Sequence, residues 1–132
     1  MKKVLRSFIT LFLFCCVFTS VSFAATQEEV AAGEFIKKLQ LLAAEGNKQE
    51  LAKLVDYPLT MNGKKGAANA DAFVKRYNEI FTKDVQSCLR DHDLKEPVFS
   101  RNGEYMVGQG CIWFFPTQQG NMVINAVNTS TK

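Results

Sequence analysis

Apolar residues change their spacing along this chain, and each change marks a different kind of element. Phe8 to Phe18 is apolar almost without a break. From Ala32 the apolar positions instead recur every three or four residues, at Ala32, Phe35, Ile36, Leu39, Leu42 and Ala43, which gathers them on one face of a helix. Thr26-Gln27-Glu28-Glu29 fits a capping box at its start: the Thr26 hydroxyl accepts from the Glu29 amide and the Glu29 carboxylate reaches back. Gly46-Asn47 supplies the stop. A short second helix, about 48–55, turns Leu51, Leu54 and Val55 inward; Asp56-Tyr57-Pro58 ends it, because a residue before proline avoids helical geometry.

Tyr57 to Met61 then reads as a short edge strand, where Pro58 is tolerated, and Asn62-Gly63-Lys64-Lys65-Gly66 as a turn or mobile loop. Asn69 or Asp71 can cap a third helix over 70–82, with Phe73, Tyr77, Ile80 and Phe81 inward. A further helical stretch over 83–90 presents Val85, Cys88 and Leu89 together.

From Pro97 the period becomes two. Val98 to Arg101, the Asn102-Gly103 turn and Glu104 to Val107 predict a hairpin, since Asn-Gly supplies the positive φ angles of a tight primed turn. The second strand is expected to run on to Phe115. That would place Tyr105, Val107, Gln109, Cys111, Trp113 and Phe115 on one face, with Met106, Gly108, Gly110, Ile112 and Phe114 on the other. Gly108 and Gly110 mark a bend, a bulge or something packed close above. Pro116 to Gly120 turns the chain back into a last strand, Met122 to Val127. The fold class is α+β: helices first, then a three-stranded antiparallel meander.

The apolar start has its own meaning. Lys2, Lys3 and Arg6 precede it, and small residues ending in Ser22-Phe23-Ala24 follow, which is the order of a secretory signal peptide cleaved after Ala24. The run is short for a membrane span, so the expected product is one periplasmic domain, residues 25–132, with no span of its own. Removing residues 1–24 takes three of the sixteen basic residues and none of the thirteen acids, so the +3 charge of the chain falls to about zero. A near-neutral domain whose densest basic pairs are Lys64-Lys65 and Lys75-Arg76 does not suit nucleic acid. Cys15 and Cys16 leave with the leader. The remaining pair, Cys88 and Cys111, is best read as one disulfide in an oxidising compartment; two thiols and a single histidine make a poor metal site.

The element order resembles the cone-shaped nuclear transport factor 2-like superfamily. The likeness rests on Leu54-Val55-Asp56-Tyr57-Pro58-Leu59 entering the first strand and on Phe73-Val74-Lys75-Arg76-Tyr77 before the sheet. Gly108-Gln109-Gly110-Cys111-Ile112-Trp113-Phe114 also looks like small exported bacterial members of that superfamily. It covers most of the chain after residue 24 and implies N-terminal helices packed on a curved antiparallel sheet. It bears on fold rather than function, since the superfamily hosts isomerases, dehydratases, carriers and assembly modules.

Enzymes of that kind, such as ketosteroid isomerases, place a carboxylate base and a tyrosine donor in the cone. Asp56, Asp91, Asp93 and Glu96 are available as acids and Tyr57, Tyr77 and Tyr105 as donors, but the acids fall at element ends. The strands that should line the cone offer Gln109, Asn121 and Asn125, with no carboxylate between Tyr105 and Thr131. His92, in Arg90-Asp91-His92-Asp93, reads as part of a polar connector rather than as a base. No glycine-rich phosphate loop or nucleophile elbow is present, and no cofactor is expected. Asn128-Thr129-Ser130 matches a glycosylation triplet, a pattern common by chance.

These readings predict a non-enzymatic binding domain that contacts a small apolar molecule or a periplasmic protein, an immunity or inhibitor role included. The alternative is a small-molecule isomerase or dehydratase. Tyr105, Gln109 and Trp113, apolar bodies with polar tips on one expected strand face, form the expected contact group. Homodimerisation through the sheet face is a further expectation.

Overall fold

The computed structural model describes residues 25–130. The expected leader, residues 1–24, lies outside the described residues. Helix α1, Gln27–Glu45, begins at the expected capping box, with both reciprocal bonds made at Thr26 and Glu29, and ends on Gly46 in the left-handed region. Its apolar stripe is buried at Ala32, Phe35, Ile36, Leu39 and Leu42. Helix α2, Lys48–Ala52, is shorter than expected, because Val55 already belongs to strand β1, Val55–Met61.

Strand β1 is not an edge. It pairs antiparallel with β2, Lys64–Lys65, and parallel with the last strand, so the stretch read as a loop carries the true edge. Asn62 and Gly63 take φ of 48° and 73°, the same primed-turn conformation as Asn102-Gly103, and fold Lys64–Lys65 back onto β1. The helix expected over 70–82 is broken in two, α3 Ala70–Lys75 and α4 Tyr77–Ile80, before α5 Lys83–Arg90. Arg76 leaves helical geometry, and the Thr82 side chain starts α5 afresh by accepting from the Val85 amide. Phe73, Tyr77 and Phe81 nevertheless remain one aromatic cluster, with ring centroids 5.4–6.1 Å apart.

The remaining strands are β3 Ser100–Arg101, β4 Glu104–Val107, β5 Ile112–Pro116 and β6 Met122–Val127. The order across the sheet is β2-β1-β6-β5-β4-β3, six strands, with β1 and β6 parallel and the other pairs antiparallel. The expected antiparallel meander is therefore the larger part of a mixed, open sheet. The parallel pair follows from the chain's path: three helices and four strands intervene before β6 returns beside β1.

The helices pack on one face of this sheet. Phe114 on β5 is fully buried, with the Phe35 ring of α1 at 5.0 Å and the Tyr105 ring of β4 at 5.6 Å. Burying such rings is the main favourable term holding helix to sheet, about 25 cal/mol for each Å² of apolar surface removed from water. Gln40 ties the second contact, its side-chain amide donating to the Leu89 and His92 carbonyls at the end of α5, at 2.9 and 3.1 Å.

Candidate functional site

The twelve-residue strand expected from Glu104 to Phe115 does not exist. The chain reverses over Gly108–Cys111, with Gly108 and Gly110 at φ of 55° and 94°, and β5 comes back against β4 so that Val107 faces Ile112. Glycine takes such angles at little cost, and here two of them fall within three residues. The reversal also changes which residues share a face. Tyr105 pairs with Phe114, and Met106 pairs with Trp113. Residues opposite one another in a sheet lie on the same side. Counting by twos through the turn therefore gives the wrong partner for every residue beyond it.

The three residues expected to form a contact group are thus separated. Tyr105 is buried on the helix side, stacked on Phe114, and its hydroxyl donates to the Glu28 carboxylate at 3.3 Å. Burial pushes the Tyr105 hydroxyl's pKa up, and the nearby Glu28 and Glu29 charges and the bond to Glu28 push it the same way. Gln109 is exposed at the tip of the β4–β5 turn, and Trp113 is half-buried on the opposite face of the sheet. The structure brings none of these three together.

The cysteines are brought together. Cys88 on α5 and Cys111 at the turn are joined by a disulfide between residues 23 apart in sequence. Closing a loop of this length stabilises the fold by about 3 kcal/mol in the chain-entropy model. The turn it anchors is held by two more bonds: Asn128 donates its side-chain amide to the Gly110 carbonyl at 2.8 Å, and its backbone amide donates to the Cys111 carbonyl at 2.9 Å. His92 belongs to the same cluster as a structural acceptor, its Nδ1 receiving the Gly108 amide at 3.2 Å. Asn128 carried only a modification motif in the sequence, and nothing there pointed to its pairing with the turn.

No protein-family model, curated protein or solved structure matches the chain.

Among the described residues, the buried core is entirely apolar or aromatic in type and holds no buried charged side chain. Asp56, Asp91, Asp93 and Glu96 are all exposed. Among the described residues, two of the three tyrosine hydroxyls make no bond to a carboxylate. The Tyr57 hydroxyl donates to the Ala52 carbonyl at 2.7 Å, and burial raises its pKa to about 12. The Tyr77 hydroxyl is buried without a partner among the described residues, and burial raises its pKa too.

A different group emerges on the sheet face turned away from α1. The Met106 amide donates to the Phe99 carbonyl, Met106 faces Trp113, Trp113 faces Ala126 and Ala126 faces Thr60. These pairings draw one row straight across the sheet, with Phe99 at its end 53% exposed. Phe115 and Val123 pair in the neighbouring row. A register shift between Trp113 and Phe114 frees Asn125 from the ladder, and its side-chain amide donates to Glu104 at 2.6 Å. An apolar row beside one charged, hydrogen-bonded pair can bury area against a partner and fix its orientation.

Proposed function

We propose that the chain is an exported, non-enzymatic binding domain, and that it meets a protein partner through the outer face of its sheet. The observation that carries this reading is the apolar row Phe99, Met106, Trp113 and Ala126 on the face away from α1. Aromatic and methionine side chains are enriched at the centres of such contacts, and Trp113 is the anchor. A protein fits better than a small ligand inside the fold, because Tyr105, Val107, Ile112, Phe114 and Ile124 fill the helix side of the sheet with their own packing. The resemblance to the nuclear transport factor 2-like superfamily belongs to the same proposal, supported by helices on one face of a sheet whose last three strands form a meander. Export is supported by the basic-then-apolar start of the sequence and by the Cys88–Cys111 bond, which suits an oxidising compartment.

Native mass spectrometry of protein recovered from the exported fraction tests the reading. The chain is expected to begin at Ala25 and to retain a protein partner that Phe99→Ser and Trp113→Ser lose while keeping the wild-type circular dichroism. A small retained molecule, a chain still starting at Met1, or a partner kept equally by both variants would overturn it.

A further inference from the structure

Helix α1 carries a second, independent surface. Opposite its buried stripe it exposes Gln27, Val30, Glu34, Lys37, Leu41 and Ala44. Their spacing alternates between three and four, so with about 3.6 residues per turn they form one straight seam along the helix. Val30 and Leu41 are 55% and 59% exposed, two of the four exposed large apolar side chains among the described residues. Neither Glu34 nor Lys37 takes part in any ion pair among the described residues. Beside the seam run two troughs of about 490 and 690 Å³, both lined by Lys37; one is walled by the end of α5 and the other by the segment from Leu94 to Val98.

Gly33 adds an independent sign. It lies mid-helix and borders the larger trough, and nothing stands within 4 Å of the point where a Cβ would be. Glycine inside a helix costs about 1 kcal/mol relative to alanine. No packing among the described residues accounts for that cost, whereas the missing side chain lets another helix approach closely.

We propose that the occupant is a second copy of this chain, docked as an antiparallel α1–α1 pair about a two-fold axis. The seam reads the same from both ends. With the axis crossing the seam at the level midway between positions 35 and 36, Val30 lies opposite the partner's Leu41, Glu34 opposite the partner's Lys37, and Gln27 opposite the partner's Ala44. Each layer then repeats by symmetry, so apolar meets apolar and acid meets base twice. A two-fold contact requires this self-complementarity. Parallel pairing would instead set Glu34 against Glu34 and Lys37 against Lys37. The contact is on the far side of the molecule from the sheet row, so it leaves the proposed partner face open.

Sedimentation velocity of the exported protein over a broad dilution series, with charge-reversed variants, tests this. Wild type is expected to show a reversible monomer–dimer equilibrium weakened by salt. Glu34→Lys and Lys37→Glu should each weaken it roughly tenfold, and the double reversal should return it to within about threefold of wild type, since it restores opposite charges across the axis. Both positions are exposed, so unchanged circular dichroism is expected throughout. A wild type that stays monomeric, a dimer indifferent to the single reversals, or a double reversal as weak as either single would overturn the proposal.

Discussion

Gly108 stands against the Cys88 sulfur: a Cβ at position 108 would come within 2.6 Å of Cys88 Sγ. The turn that splits β4 from β5 and the bond that pins it to α5 therefore occupy the same small space. Gly108→Ala meets two penalties, a φ of 55° that side chains rarely adopt and a sulfur that the disulfide keeps from moving. The expected loss is about 2–3 kcal/mol of stability, read from the urea midpoint. Gly120→Ala is the control, since φ is 82° there but nothing lies within 4 Å, so it should cost only the backbone part. Equal losses at the two positions would show that the sulfur contact is irrelevant.

Tyr57 and Tyr77 should respond oppositely to loss of their hydroxyls. Tyr57→Phe removes the bond to the Ala52 carbonyl and should cost about 1 kcal/mol near neutral pH. Tyr77→Phe removes a buried hydroxyl without a partner and should be neutral or stabilising. Denaturant titration of the two variants side by side decides this; a clear loss at Tyr77 would mean that its hydroxyl is bonded in solution.

The raised Tyr57 pKa also fixes a sign. The unfolded chain releases this proton near pH 10.0, whereas the folded chain holds it until about 12. The unfolded state thus binds fewer protons inside that window, and stability falls as pH rises through it. Below pH 10.0 the group contributes no pH dependence. Stability measured against pH should fall less steeply between 10 and about 12 in Tyr57→Phe than in wild type; identical slopes would contradict the assignment.

Phe114 and Trp113 are neighbours with different work to do. Phe114→Ala should cost about 3–5 kcal/mol, because its ring is fully enclosed between Phe35 and Tyr105. Trp113→Ala should cost less than half as much, since the indole is half-buried on the outer face. Thermal melts of the two variants give the comparison, and a Trp113→Ala protein that fails to fold would place the indole in the core and remove it from the partner face.

The sequence by itself determined the local decisions. The capping box at Thr26 and Glu29, the stop at Gly46, the inward stripe from Ala32 to Leu42, the Asn102-Gly103 hairpin and the cysteine pairing all follow from residues close together or from the count of cysteines left after residue 24. Their causes are short-range: a side chain reaching an amide three residues away, or a backbone angle only a few residue types accept. Tertiary structure alone decided where β1 goes, because its parallel pairing with β6 joins segments nearly seventy residues apart and leaves no local trace. It also decided which face each residue beyond Val107 takes. Alternation is a reliable guide only while a strand continues, and the reversal at Gly108–Cys111 restarts the count. Tyr105 and Trp113 therefore ended on opposite sides of the sheet, one in the core and one on the surface.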